Sequence, residues 1–301
     1  MMNARLGAIL VLIALVAIAF TTRTDGPTTG PESSGILEFQ AGPLFQDKTI
    51  PIHYYLPAGD QREMPIQIVL HGASRNADDY LAGWAEKARQ YGVIILAPEF
   101  SKGQFSIGEY THGQLMDSLL RINPPDQTLF ALIDQMFAHA KSALELGQEQ
   151  YNLFGHSAGG QFVHRYLQFY DSPALGKAIA ANAGWYTFPD EAIEYPYGVS
   201  GMSEDYETFR ARYYAKDLTI LLGTADTLRT NNLRVNPEAD RQGPNRLERG
   251  KYFFAANREN ATAAGQLFNW KIAYVPEAGH QHQLMSAAAA ELLYGAGGQS
   301  H

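Results

Sequence analysis

The chain of 301 residues contains no cysteine. This absence excludes a disulfide framework, a thiolate metal site and a cysteine nucleophile. Basic residues are also few, since 23 Lys and Arg face 31 Asp and Glu, and the formal net charge is −8. This balance argues against a nucleic-acid partner. With 46% hydrophobic residues, the length suits one large domain with a well-buried core, or at most two domains.

Long apolar runs are scarce, and the one that stands out is at the N-terminus. Arg5 precedes an apolar run over residues 6–20, and the small-x-small pattern at 17–19 is typical of a signal-peptidase site. The run is shorter than the ~20 residues that span a bilayer. We therefore predict that residues 1–19 are a cleaved signal peptide and that the protein is exported, to the periplasm or beyond. An uncleaved N-terminal anchor is the alternative, and only then would a membrane be a partner.

Residues 20–35 are rich in Thr, Gly, Pro and Ser, which predicts a flexible linker ahead of one folded domain over 36–301. Within that domain, short apolar runs alternate with segments of helical spacing, as in a mostly parallel sheet covered on both faces. We expect strands at 36–40, 49–56, 66–71, 93–97, the run before Ser157, 177–183, 218–222 and 270–275. We expect helices at 77–91, 128–146, 158–170, 247–264 and 281–293.

The most informative stretch runs from Tyr151 to Gly160. Its apolar start, glycine-flanked serine and helix-like continuation predict a strand, a sharp turn and a helix, with Ser157 at the apex. Gly155 and Gly159 remove Cβ atoms that would collide in such a turn. The turn would push the serine hydroxyl out of the sheet, within reach of a base. The alternative is a glycine-rich connection in which Ser157 only caps the helix.

Two further polar residues follow later strands at the expected ligand-binding edge of the sheet. Asp226 comes after the seventh strand and His280 after the eighth, so the order along the chain is serine, acid, histidine. A serine hydroxyl is a weak nucleophile without a base, and an imidazole can take its proton and return it. An acid beside the imidazole fixes its tautomer. These residue types predict Ser157 as nucleophile, His280 as base and Asp226 as the orienting acid.

Other residues compete for these roles. His282 is the alternative base, and a metal site formed by His280, His282 and Asp226 is a lesser alternative. His71 is expected to orient a loop, and His156 to pack locally. The competing acids are Asp217, which precedes its strand, and Glu238 and Asp240, which lie deep in a loop.

Together with the loop His71-Gly72-Ala73 after the third strand, these motifs resemble the α/β-hydrolase fold family. The resemblance covers nearly everything from Ile36 to Tyr294. It implies an eight-stranded, mostly parallel sheet with helices on both faces and long active-site loops. It also implies a backbone oxyanion hole formed by the amides of Ala158 and Ala73, with Ser74 as the alternate. Some lipases carry three glycines in this loop, and their absence here argues against esters of bulky tertiary alcohols.

Four shorter segments are similar to small esterases of the polyhydroxybutyrate-depolymerase-like, feruloyl-esterase-like and dienelactone-hydrolase-like kind. This likeness implies a serine carboxylester hydrolase that forms an acyl-enzyme on a small-molecule or oligomeric ester and needs no cofactor or metal. A serine peptidase or amidase of the same fold, or a non-catalytic binding protein, remains possible. The segments are Val69–Ala73, Asp79-Tyr80, Tyr91-Gly92-Val93 and Ala97-Pro98-Glu99.

Three long loops, over 99–126, 185–212 and 227–249, are expected to overhang Ser157. The aromatic residues at 185–206 suit either plain packing or a lid over the substrate. The last loop holds five arginines, which we expect to be solvated or paired with Glu238, Asp240 and Glu248; binding of an anionic acyl group is the alternative. These arginines are Arg229, Arg234, Arg241, Arg246 and Arg249.

Overall fold

The computed structural model describes residues 29–202 and 206–295. The predicted signal peptide over 1–19 and the first part of the predicted linker therefore lie outside the described residues. Within the described ranges, no helix combines the length and the apolar character that crossing a membrane requires.

Eight strands form one sheet in the spatial order β8-β7-β6-β5-β3-β4-β2-β1. All neighbouring pairs are parallel except the two that involve β2, which runs antiparallel to both β1 and β4. The predicted α/β fold with a mostly parallel eight-stranded sheet is confirmed. The strands are β1 (Ser33–Gln40), β2 (Thr49–Leu56), β3 (Ile66–Leu70), β4 (Ile94–Pro98), β5 (Tyr151–His156), β6 (Leu175–Ala181), β7 (Leu218–Gly223) and β8 (Lys271–Val275).

Helices cover both faces of the sheet, because successive strand side chains point in opposite directions. Val69 and Phe154 pack under α1 and α8, whereas Ile68 and Leu153 pack under α3 and α4. For the same reason, the fully buried β4 is a continuous apolar run, and β3 is interrupted only by Gln67. The helices are α1 (Ala77–Tyr91), α2 (Ile107–His112), α3 (Leu129–Ala143), α4 (Ala158–Phe169), α5 (Tyr206–Ala215), α6 (Pro237–Gln242), α7 (Arg246–Ala263) and α8 (His282–Tyr294).

Three helices, α2, α5 and α6, lie in segments that the sequence analysis took as irregular. Both α2 and α6 have only six residues, too few for an apolar period to show. The sequence nevertheless contains recognisable capping residues for both of these helices. Ser106 and Glu109 form a reciprocal capping box before α2, and the Asn236 side chain caps α6, which begins with proline.

The start of the domain also differs from the expectation. Thr29–Gly30 pairs with Gly59–Asp60, and β1 begins at Ser33, which lies opposite Leu56. Residues 29–35 were assigned to the linker from their composition. Main-chain pairing with a neighbouring strand needs no apolar side chain, so composition did not reveal it.

Candidate active site

Ser157 occupies a sharp turn between the end of β5 and the start of α4. Its φ of 58° and ψ of −112° are strained for a residue with a Cβ atom. The turn is possible because strand and helix approach each other closely. A Cβ on Gly155 would lie 2.2 Å from the Gly159 carbonyl oxygen, and one on Gly159 would lie 2.3 Å from that of Leu70. Glycine is therefore required at both flanking positions.

Ser157, His280 and Asp226 form a row of hydrogen bonds at the carboxyl edge of the sheet. His280 Nε2 lies 3.0 Å from Ser157 Oγ, and His280 Nδ1 lies 2.7 Å from Asp226 Oδ2. The Asp226 carboxylate can only accept, so Nδ1 carries the proton and Nε2 accepts from the serine hydroxyl. Asp226 is only 3% exposed. These are the three residues that the sequence predicts as catalytic, and we call them the catalytic row.

Arg246 holds the second oxygen of Asp226. Its Nη1 lies 3.5 Å from Asp226 Oδ1, and both side chains are buried. Burial lowers the pKa of Arg246, and the attraction of Asp226 opposes this shift. From the sequence this arginine was expected to be solvated or paired within its loop. It is instead the first residue of α7, one residue before the predicted start of that helix at 247, and it pairs with the buried Asp226.

The competing acids have partners elsewhere. Asp217 lies just before β7, at the opposite edge of the sheet from Ser157. Asp240 also accepts a hydrogen bond from Arg249, at 2.9 Å. The pairs are Lys271 with Asp217 at 3.0 Å, Arg229 with Asp240 at 3.1 Å, and Arg241 with Glu238 at 3.8 Å.

The neighbouring histidines take other positions. His282 stacks on Tyr80, with ring centroids 4.1 Å apart and an interplanar angle of 13°. The Tyr80 hydroxyl lies 2.8 Å from Nδ1 of His156, whose buried ring packs 4.7 Å from that of His280. Across the described residues, no group of three or more His, Asp or Glu could hold a metal ion.

The loop after β3 is fixed by His71 and Arg75. Buried His71 accepts the Phe100 amide on Nε2 and donates from Nδ1 to the Gly72 carbonyl, both at 3.0 Å. Burial lowers the pKa of His71 to about 3, so the ring is neutral. Arg75 donates to the carbonyls of Phe100 and Phe105. His71 therefore orients the loop, as expected, and the loop is tied to the segment that follows β4.

A cavity of about 300 Å³ opens beside Ser157. Ala73 and Ala158, the two residues expected to supply oxyanion-hole amides, both line it. Ala158 is the first residue of α4, and first-turn amides have no acceptor within their helix. Each of the three predicted long loops also contributes lining residues, among them Ile107, Trp185 and Leu233.

Trp185 and Arg234 line this cavity, and two guanidinium groups pack against the Trp185 indole. Arg165 lies 4.2 Å and Arg234 lies 5.1 Å from the centroid of the Trp185 ring. We call these three residues the arginine–tryptophan wall. In the part of the chain that the structure describes, neither arginine has a carboxylate within ion-pair distance. Arg234 differs in this from Arg229, Arg241 and Arg249, whose acid partners were expected from the sequence.

Arg165 is fully buried within this wall. It donates to Thr187 Oγ1 at 2.8 Å and to the Thr111 carbonyl at 3.0 Å, but its Nη2 atom has no described partner. Burial lowers its pKa to about 10, so the side chain remains a cation at neutral pH. No local pattern predicts this buried charge, since Arg165 lies on a helix whose other residues are mostly apolar or aromatic.

Comparisons with known proteins agree with this geometry. The family model described as alpha/beta hydrolase fold matches residues 118–273, more than half of the chain. The match includes Ser157 and Asp226. The comparison with curated protein sequences found no match.

Solved structures add closer relatives. Poly(aspartic acid) hydrolase-1 from Sphingomonas sp. KT-1 is 38% identical, with a TM-score of 0.81 over 88% of this chain and 99% of that one. LpqC, a poly(3-hydroxybutyrate) depolymerase from Bordetella parapertussis, is 32% identical, with a TM-score of 0.81 over 87% and 90%. An S-formylglutathione hydrolase from Agrobacterium tumefaciens, 12% identical with a TM-score of 0.55 over 87% and 93%, shares the fold alone.

These comparisons extend over most of the described domain, and the Sphingomonas and Bordetella relatives, both above 30% identity, are named as a hydrolase and a depolymerase. The chain therefore belongs to the alpha/beta hydrolase fold family and is a hydrolase of that fold.

Proposed function

We propose that the protein is a serine carboxylester hydrolase that forms an acyl-enzyme on Ser157. The observation that carries this proposal is the catalytic row, with its hydrogen bonds of 3.0 and 2.7 Å. A hydroxyl, a base and an orienting acid within hydrogen-bond reach are the parts that activate a serine. The cavity beside Ser157 gives room for an acyl group.

In the first half of the reaction, Ser157 Oγ attacks the ester carbonyl while His280 Nε2 takes the hydroxyl proton. The buried Asp226 carboxylate stabilises the imidazolium that forms. As the tetrahedral intermediate collapses, the bond to the alcohol oxygen breaks and Nε2 returns the proton to the leaving alcohol. The acyl group then remains as an ester of Ser157.

In the second half, water attacks the acyl-enzyme carbonyl while His280 Nε2 removes a proton from it. Collapse releases the carboxylic acid, and the proton passes back to Ser157 Oγ. In both halves the carbonyl oxygen becomes an oxyanion, and we propose that the amides of Ala158 and Ala73 receive it. Each such donor contributes roughly 3–4 kcal/mol to the transition state. Both residues line the cavity.

The test is Ser157→Ala, assayed on p-nitrophenyl esters of graded acyl length. We expect kcat to fall by about 10⁵-fold or more, because loss of the nucleophile leaves only binding and the oxyanion hole. A fluorophosphonate probe should label the wild-type chain on Ser157 and should not label the variant. Full activity in Ser157→Ala would refute the proposal, and a wild-type chain that is neither labelled nor active would favour a binding protein.

A second candidate is an amide hydrolase for anionic polymers, and the arginine–tryptophan wall favours it. Arg234 lines the cavity beside Trp185 and has no described acid partner, and the buried cation Arg165 packs against the same indole. Guanidinium groups bind carboxylates well. The Sphingomonas relative is named for poly(aspartic acid), a polyamide that bears a carboxylate on each unit.

Turnover of two polymers separates the candidates. The ester hydrolase should release acid from poly(3-hydroxybutyrate) oligomers and from neutral p-nitrophenyl esters. The amide hydrolase should shorten poly(aspartic acid), a change that chromatography of the products detects. Cleavage of poly(aspartic acid) with little turnover of neutral esters would replace the first proposal with the second, while both would retain Ser157 as nucleophile.

A further inference from the structure

Tyr80, in the first turns of α1, lies at the junction of three segments that meet around Ser157. Its side chain is only 3% exposed. Its hydroxyl is hydrogen-bonded to Nδ1 of His156, at 2.8 Å. Gly72 comes so close that a Cβ there would lie 2.9 Å from the Tyr80 oxygen. The phenol thus joins the loop after β3 to the end of β5.

His156 is a neutral ring held by the Tyr80 hydroxyl. Burial raises the pKa of Tyr80, so the hydroxyl keeps its proton. Burial, and then the neighbouring His280, lower the pKa of His156 well below its usual value. His156 is therefore neutral; its Nδ1 is bonded to Tyr80, and its Nε2 has no hydrogen-bond partner in the described ranges.

The neutral ring of His156 packs against the ring of His280. Their centroids are 4.7 Å apart, with an interplanar angle of 41°. A neutral neighbour avoids the repulsion that a second cation would exert on the imidazolium of His280. The ring of Tyr80 in turn stacks on His282, two residues beyond His280. The loop that carries His280 is thereby held at two points.

We propose that Tyr80 is a positioning residue that couples the oxyanion loop to the ring of His280 through His156. The inference rests on the proposed hydrolysis at Ser157. The oxyanion donors and the base must be correctly placed at the same moment, and small displacements reduce the rate steeply. One hydroxyl reaches the loop of Ala73 on one side and the support of His280 on the other. It acts through these groups and does not touch the reacting atoms.

The test is Tyr80→Phe, which keeps the ring and its stacking but removes the hydroxyl. His156 Nδ1 then loses its partner, and the close contact of the phenol oxygen with Gly72 is lost. On p-nitrophenyl acetate we expect kcat to fall about tenfold while KM changes by less than about twofold, because positioning affects the transition state and not binding. The rate of fluorophosphonate labelling should fall by a similar factor. Unchanged kcat and unchanged labelling would overturn the inference.

Tyr294→Phe is the matched control. The Tyr294 hydroxyl also bridges two strands, since it accepts from Asn152 at 2.9 Å and donates to Gln67 at 3.0 Å. Those residues lie near the starts of β5 and β3, at the edge of the sheet away from Ser157. This variant should lose stability as Tyr80→Phe does, with kcat unchanged. An equal loss of kcat in both variants would mean that Tyr80 acts only through stability.

A second variant, His156→Phe, guards against a folding defect in the first. It keeps an aromatic ring against His280 and removes the hydrogen-bond partner of the Tyr80 hydroxyl. If the two residues act as one unit, the double variant should have a kcat within about twofold of the worse single variant. If the two losses in kcat instead multiply in the double variant, the proposed coupling through His156 would be refuted.

Failure of this inference is distinguishable from failure of the proposed function. Ser157→Ala tests the function, because labelling and turnover must both vanish. If the wild-type chain is labelled and active, and Tyr80→Phe matches it, only the positioning role is lost.

Discussion

The catalytic row and the arginine–tryptophan wall meet at one cavity but are built in different ways. The residues of the row each follow a strand, β5, β7 or β8, at the same edge of the sheet. The wall joins α4, the segment after β6 and the segment after β7, through contacts between a guanidinium and an indole.

This difference separates chemistry from substrate choice. Main-chain pairing across the sheet sets where the row residues emerge, so their spacing depends little on the loops. The wall depends on side chains from segments that hydrogen-bond to the sheet at few points. We therefore expect substitutions in the row to lower kcat for every substrate, and substitutions in the wall to change which substrates bind.

After Ser157→Ala, the largest effect should come from Asp226→Asn. An amide can donate to Nδ1 and so favours the wrong tautomer of His280, which should lower kcat by about 10⁴-fold for neutral and anionic substrates alike. Steady-state kinetics on both classes provides the check. Asp217→Asn is the control at the other edge of the sheet and should retain full kcat. A loss confined to one substrate class would contradict the separation of row and wall.

Gly159→Ala should show that the row depends on backbone approach. The new methyl would lie 2.3 Å from the Leu70 carbonyl oxygen, so strand and helix must separate. We expect the free energy of unfolding to fall by about 3 kcal/mol. Urea denaturation measures this change. Gly103→Ala, where a Cβ meets nothing within 4 Å, should be close to neutral, and equal losses in both would count against the clash.

Acid should destabilise the packing around both the row and the wall, since two neutral histidines lie near each of them. Burial lowers the pKa of His71 and His112 to about 3, and those of His156 and His164 well below the usual value. The unfolded chain therefore binds more protons below pH ~6.5, and stability present above that pH is lost as the pH falls towards 3. Linkage gives roughly 2 kcal/mol per histidine at pH 5.

Urea denaturation at pH 7.5 and at pH 5 measures this loss. His112 lies near the wall. His112→Gln should reduce the loss in the free energy of unfolding between pH 7.5 and pH 5 by roughly 2 kcal/mol, the contribution of one histidine. A difference that is unchanged in this variant would show that His112 is protonated in the folded protein or that other groups cause the loss.

The smallest effect should come from Arg234→Gln in the wall. Removing this cation should raise KM for an anionic substrate about fivefold to tenfold, while KM for neutral p-nitrophenyl acetate should change by less than about twofold. Arg241→Gln is the control, since that arginine pairs with Glu238 away from the wall. Equal changes in KM for both substrates would show that Arg234 does not discriminate between them.

The sheet and the positions of the row could be predicted because they follow from local patterns. Apolar runs, glycines and the residue after each strand carry that information in the sequence itself. The structure brings Ser157, His280 and Asp226 together at the predicted edge. The boundaries of the short α2 and α6 were missed although their capping residues were present.

The rest of the site could not be predicted, because it depends on contacts between distant segments. Arg246 binds Asp226 across 20 positions, and Tyr80 meets His156 across 76. Nothing in the sequence around Arg165 distinguishes a buried unpaired cation from a solvated one. These contacts arise from side-chain packing once the sheet has formed, and no local pattern encodes them.

The pairing of Thr29–Gly30 with Gly59–Asp60 has a practical consequence for immobilisation. The paired strand lies next to the start of β3, at the edge of the sheet opposite Ser157. A resin or surface attached ahead of Thr29 would therefore face the edge of the sheet that lies opposite Ser157. The cavity would point outward, open to a polymer chain or to the surface of an insoluble particle.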